Sequence, residues 1–203
     1  MANHEAVVHG FNWRIELPVL SGRLVTLREP TPVDCDSLLA LLSEPDATRF
    51  GLDDSPGPAS ILRLIDRAAH DRAAGLAFTY AITFAATGQV IGLQQVRQLD
   101  PLFENAAWEC MLVADARGTG VFWDAAHLVA SFVFASVGAT RLESRIDVGN
   151  GRGNAAMRKI GGVAEGVLRG SGRRGHEYID QMLWAVLKDT WDFDAAPPVV
   201  VVH

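Results

Sequence analysis

Four residues in the middle of the chain, Arg117-Gly118-Thr119-Gly120, combine a cation, a hydroxyl and two glycines in a form suited to holding a phosphate. They stand between the apolar run Cys110-Met111-Leu112-Val113 and a long helical pattern. A chain that leaves a strand and enters a helix through glycines presents several unbonded N–H groups beside the positive end of the helix dipole. Glycine carries no Cβ to hold an anion away. Arg117 adds a charge-assisted donor for phosphate oxygen, and Thr119 offers a hydroxyl. The spacing is neither a Walker A loop, since no Gly-Lys-Ser/Thr follows, nor the dinucleotide pattern GxGxxG. Plain turn chemistry is the competing reading, so the surrounding segments must decide.

Other side chains offer proton or phosphate chemistry. Glu109, on the strand before the turn, is a carboxylate that half-burial would make a proton acceptor, direct or through water; a salt-bridged or solvent-facing strand residue is the alternative. Asn150, in Gly149-Asn150-Gly151-Arg152-Gly153, can bond both backbone and a bound phosphate. A turn residue is its competing role. Arg152, Arg173 and Arg174 suit a phosphate or an acidic partner, and His176, Glu177 and Tyr178 can shape a substrate cleft or supply a proton. Glu104 reads as a loop charge and His127 as a core or edge histidine. Cys35 and Cys110 lie far apart with no CxxC and no His cluster, so no metal site is expected. Cys110 reads as a small buried hydrophobe.

The elements that must position these residues follow from periodicity. Residues 1–20 show no clear period and read as an arm. Arg23–Arg28 alternates as a strand, and Leu38, Leu39, Leu41 and Leu42 form a helical stripe capped by Asp34 or Asp36. After the loop Asp53–Pro58, a second helix runs from Ile61 to near Gly75. Ala77–Ala85 and Gln89–Arg97 form a hairpin about Thr87-Gly88, and Trp108–Ala114 is another strand. Val121, Ala125, Leu128, Val129, Phe132 and Val133 share one helix face, and Gly138 stops that helix. Arg141–Val148 reads as a strand, Asn154–Ile160 as a short helix, and Val163–Arg169 and Tyr178–Leu187 as closing strands around a loop at Gly170–Gly175. This order does not alternate strictly enough for a doubly wound sheet. The tail 192–203, with Pro197-Pro198 and four valines, reads as an appendage.

At 203 residues the chain fits one domain, 21–191, and 49% apolar with 21% charged residues is ordinary globular composition. A net charge of −6 argues against nucleic-acid binding. No signal peptide or membrane-length apolar run is visible, so a cytoplasmic protein is expected.

With these residues in place, the chain resembles the GCN5-related N-acetyltransferase (GNAT) superfamily, and within it the RimJ/RimL-like branch, over roughly residues 20–191. The likeness rests on Ser21–Arg28, Gly88–Gly92, Leu112–Gly120, Asn150–Gly161, Glu165-Gly166-Val167-Leu168-Arg169, and Asp180 with Leu183, Trp184 and Trp191. The resemblance implies an α+β fold with a mixed, mostly antiparallel sheet, helices on both faces, and a strand pair that splays around acetyl-CoA. It assigns the pantetheine arm to the backbone at Leu112 and Val113 and the pyrophosphate to Arg117, Gly118, Thr119 and Gly120. Asn150 joins them. The implied reaction is direct acetyl transfer to a primary amine, on a protein N-terminus or a small molecule. Departures from the family pattern are Phe122 for a small residue, Gly153 for serine, Met157 for the tyrosine acid, Gly162 for phenylalanine and Ala107 for the strand glutamate. Glu109 lies two residues beyond Ala107 and leaves the same strand face. A CoA- or peptide-binding module without chemistry is the alternative reading, and a homodimer through the arm or tail is a further expectation.

Overall fold

The computed structural model describes residues 12–44 and 56–196. The outer part of the arm, residues 45–55 with the first half of the loop at 53–58, and the valine-rich end of the tail lie outside the described residues.

Eight strands form one sheet: β1 (Leu20–Ser21), β2 (Val25–Arg28), β3 (Ala77–Phe84), β4 (Val90–Gln98), β5 (Asn105–Leu112), β6 (Arg141–Asp147), β7 (Val163–Arg174) and β8 (Glu177–Leu187). Their spatial order is β1-β2-β3-β4-β5-β6-β8-β7. Every neighbouring pair is antiparallel except β5 with β6. Four α-helices accompany them: α1 (Cys35–Leu42), α2 (Pro58–Ala74), α3 (Val121–Phe132) and α4 (Gly151–Lys159).

Strand alternation divides the core in two. Phe78, Tyr80, Ile82, Val96, Ala106, Trp108 and Leu112 face α3 and pack with Val121, Ala125, Val129 and Phe132. From the opposite face, Ala81, Leu93 and Met111 meet Leu38, Leu41 and Leu42 of α1 and Ile61 and Ile65 of α2. The expected helices on both faces of a mostly antiparallel sheet are therefore present.

Boundaries moved where local hydrogen bonds compete with periodicity. Helix α4 begins three residues before the expected Asn154, because Asn150 caps it. Residues 170–174, expected as a loop, are strand: bulges between Ala164 and Gly166 and between Leu168 and Gly172 absorb the glycines without ending the ladder. The inner part of the arm belongs to the core, since Trp13 and Leu17 are buried in the α3-side cluster. Helix α3 widens into a π-turn over Val133–Val137, closed by the Gly138 N–H on the Val133 carbonyl, before Gly138, at φ 100°, ends it.

Candidate functional site

Strands β5 and β6 touch only at one end. Asn105, Ala106 and Ala107 pair with Arg141, Leu142 and Glu143, and beyond them the strands separate. Strand β5 then continues to Leu112 and β6 to Asp147, each held only by its outer neighbour, β4 or β8. The bonds Val113 N–H to Ile91 and Leu99 N–H to Asn105 set the phase of the β4–β5 ladder. Odd-numbered residues of β5 therefore turn their backbone groups toward β4. Those of Trp108, Cys110 and Leu112 face the widening gap. Of the two residues assigned to pantetheine, Leu112 turns its N–H to the gap while its carbonyl accepts from Arg117, and the Val113 N–H is bonded to β4.

A short 3-10 turn, Ala114–Ala116, carries the chain from β5 to the glycine turn. Gly118 and Gly120 adopt φ of 85° and 94°, a left-handed conformation that side chains with a Cβ rarely take. A Cβ on Gly118 would meet no atom within 4 Å, so the backbone there is open to an approaching group. The Thr119 hydroxyl is engaged inward, donating to the Ala116 carbonyl at 2.7 Å. The first intrahelical bond of α3 runs from Asp124 N–H to the Gly120 carbonyl, and no side chain caps the helix start. The amides of Val121, Phe122 and Trp123 thus point out of the helix end with no partner within the helix.

Arg117, expected to reach for phosphate, is turned inward. Its Nε donates to the Leu112 carbonyl at 2.8 Å and its guanidinium pairs with Glu44, at the end of α1, at 2.5 Å. Arg117 thereby braces the turn against both β5 and α1. Phe122 is half-buried against the α3-side core.

Asn150 sits at the end of the β6 connection, where its Oδ1 accepts from the Gly153 N–H at 2.9 Å. A Cβ on Gly153 would lie 2.8 Å from Asn150 Nδ2, so a larger residue there would have to displace the Asn150 amide. Asn154 carries more of this corner than its neighbours. Its Nδ2 donates to the carbonyls of Asp147 at 3.0 Å and Asn150 at 2.8 Å, and its Oδ1 accepts from Trp184 Nε1 at 2.8 Å. Sequence reasoning placed Asn154 only at a helix start; a polar residue on the inner face of an amphipathic helix was the available signal. Met157 is buried in the core, so the position matched to a family tyrosine offers no acid.

Glu109 is half-buried on the α1–α2 face of β5, with Ala107 and Met111 on either side along the strand. It lies beyond the last β5–β6 pair. Cys110 faces the α3 side, and burial pushes its thiol up to about 12, which leaves it protonated and non-nucleophilic near neutral pH. His127 stacks between Trp123 and Trp191 at ring distances of 4.8 and 5.1 Å, away from the gap residues, and bonds the Asp192 carbonyl at 3.0 Å. Arg174 pairs with Asp147, and His176, Glu177 and Tyr178 are exposed in the β7–β8 turn region. Among the described residues no group of three His, Cys, Asp or Glu is arranged to hold a metal.

Asp124 was not singled out from sequence, yet it fixes the start of α3. Its buried Oδ2 accepts from the backbone of Leu24 at 2.6 Å and Val25 at 3.1 Å. Only glycine fits at position 22, because a Cβ there would stand 2.5 Å from that carboxylate.

The Acetyltransferase (GNAT) domain family model matches residues 24–163. No curated protein sequence matches the chain. Among solved structures, Mycobacterium smegmatis RimJ in complex with CoA-disulfide superimposes with a TM-score of 0.74 at 15% identity, over 85% of this chain and 88% of that one. A GNAT-family acetyltransferase from Bacillus anthracis gives 0.73 at 12% identity, over 85% and 99%. The microcin C7 self-immunity acetyltransferase MccE, in complex with acetyl-CoA and AMP, gives 0.70 at 18% identity, over 81% and 92%. At such identities these likenesses establish the fold, and the family match establishes the rest: the chain belongs to the GNAT acetyltransferase family and is an N-acetyltransferase.

Proposed function

We propose that the protein transfers an acetyl group from acetyl-CoA to a primary amine by direct attack in a ternary complex. The observation that carries this is the gap between β5 and β6 ending on an uncapped, glycine-entered helix. In this reading the outward amides at Gly118, Thr119 and Gly120 and the first turn of α3 take the pyrophosphate. Leu112 and its neighbours line the pantetheine arm, Arg117 holds the turn in shape, and Asn150 holds the start of α4 beside it. MccE, solved with acetyl-CoA, and RimJ, solved with a CoA derivative, support the choice of donor.

The amine must lose a proton to attack, and Glu109 is the group proposed to take it. As nitrogen bonds to the acyl carbon, the C–S bond breaks and the departing thiolate takes up a proton. The acceptor is a protein N-terminus or a small amine, and the reaction is placed in the cytoplasm, in a monomer or a homodimer. Glu109→Gln is expected to lower kcat on the order of 10² while the Kd for CoA, by calorimetry, stays at the wild-type value. An equal loss of both sinks the role of Glu109; failure of wild-type protein to bind CoA sinks the whole reading.

Met157 in the core and Ala107 on the strand favour a second reading, a CoA-binding module without turnover. Release of free CoA across an amine panel separates the two.

A further inference from the structure

One group of polar atoms has no use in the chemistry above. Gln94 is fully buried on β4, and neither its Nε2 nor its Oε1 has a partner among the described residues. Trp108, on β5, is also buried, and its indole N–H is equally unpartnered. Elsewhere the same chemistry is satisfied: Trp184 donates to Asn154, Trp191 donates to Ser131 at 3.0 Å, and the Gln95 amide donates to Thr79 at 3.3 Å. Buried polar groups without partners cost free energy, and apolar residues of the same size would avoid it.

The two residues are neighbours on the α3 face of the sheet. Gln94 stands opposite Cys110 and Val96 opposite Trp108, so Gln94 and Trp108 are diagonal partners across adjacent strands. Trp108 is the first residue of β5 beyond the last pair with β6, so its backbone marks the vertex of the gap while its indole packs on the α3 side beside it. Cys110, opposite Gln94 on β5, is small, and its buried thiol is the side chain between Gln94 and the gap. From Val113 back to Trp108 the strand spans roughly 17 Å. An extended pantetheine arm anchored at the proposed seat on the glycine turn would cover a similar reach and bring its thioester level with this end of β5.

We propose that Gln94 and Trp108 form a subsite for the acyl group of the donor, and that the preferred donor carries a hydroxyl beyond the thioester: a short hydroxyacyl-CoA. This rests on the CoA-dependent reading above. A hydroxyl matches the atoms on offer, since it accepts from Trp108 Nε1 or Gln94 Nε2 and donates to Gln94 Oε1. A carboxylate does not, because neither residue brings the counter-charge that a buried anion needs. The transfer step is unchanged: the C–S bond breaks, the C–N bond forms, the amine proton passes to the base and the thiolate is protonated. The added hydroxyl stays on the acyl group throughout.

Calorimetry with full-length protein tests this without knowing the acceptor. Wild-type protein is titrated with CoA, butyryl-CoA and 3-hydroxybutyryl-CoA. The hydroxylated donor is expected to bind at least about tenfold more tightly than its deoxy analogue, because the deoxy form leaves the buried groups unpaired. In Gln94→Met the preference is expected to shrink to about twofold or less, with CoA itself bound as in wild type. Trp108→Phe provides a second variant if that substitution disturbs folding. Equal affinity for the two acyl donors in wild type overturns the proposal, the atoms then being served by water alone. Loss of CoA binding itself overturns the reading on which it rests.

Discussion

At the scale of single residues, the charged side chains do different kinds of work. Asp34 shows how a carboxylate contributes to folding. Burial alone would raise its pKa, but bidentate bonds from Arg28 at 2.7 and 2.8 Å, with the Thr31 amide and hydroxyl, outweigh burial and hold it below the usual carboxylate range. A depressed folded-state pKa contributes stability that is fully present above the unfolded value, about 4, and is lost as pH falls through the folded value. Asp34→Asn is therefore expected to melt below wild type at pH 7, with the difference closing as pH drops below about 4. Equal melting temperatures at pH 7 would show that the bonds to Arg28 and Thr31 add nothing net. Arg117 teaches the opposite lesson. Its type suggested a phosphate contact, yet its partners are Glu44 and the Leu112 carbonyl, and no sequence spacing links residue 117 to a residue 73 positions earlier.

Elements depend on a few such bonds at their ends. Helix α3 is amphipathic and finds the sheet through its apolar face, but its axial position is set by its Asp124, whose carboxylate accepts from the backbone N–H groups of Leu24 and Val25 at the β1–β2 turn. Removing that carboxylate in Asp124→Ala leaves two buried or half-buried amides unpaired, a loss of about 1–3 kcal/mol in unfolding free energy. Because the amides of the same helix turn are proposed to hold pyrophosphate, CoA affinity is expected to fall as well, and denaturant unfolding together with calorimetry measures both. Unchanged affinity would show that the helix start holds its place without the clip. The elements themselves were legible where periodicity was long, as in α3 and in the β3–β4 hairpin. They were misjudged where glycines cluster. Gly149 to Gly153 looked like open loop, but Asn150 and Asn154 turn the segment into a capped helix. Gly170 and Gly172 looked like a strand end, but bulges keep the ladder running. Side chain-to-backbone bonds and bulges have no period, so a pattern read along the chain passes over them.

On the scale of the whole molecule, one long sheet carries two cores, and the site lies where the sheet is least continuous. The fold and the glycine turn could be read from sequence because both are local in the chain. The gap between β5 and β6 and the pairing of Gln94 with Trp108 could not, since they arise from strands brought together only by topology. The C-terminal segment is part of this body: Trp191 packs against His127 and Phe134, and its indole donates to Ser131 on α3. Trp191 is only partly buried, so Trp191→Ala is expected to cost about 1–3 kcal/mol of stability by denaturant unfolding, less than a core tryptophan would. A loss below 1 kcal/mol would show that the segment only rests on the domain. The Trp123-His127-Trp191 stack has an optical consequence. Trp123 is the third residue of the helix whose open end is the proposed anion seat, and its indole lies flat on an imidazole, 15° from parallel. Emission from this pair therefore reports on the electrostatic state of the helix start, and titration with CoA is expected to shift it more in wild-type protein than in Trp123→Phe, where Trp108 remains near the gap, giving the enzyme an intrinsic signal for donor arrival that needs neither label nor acceptor.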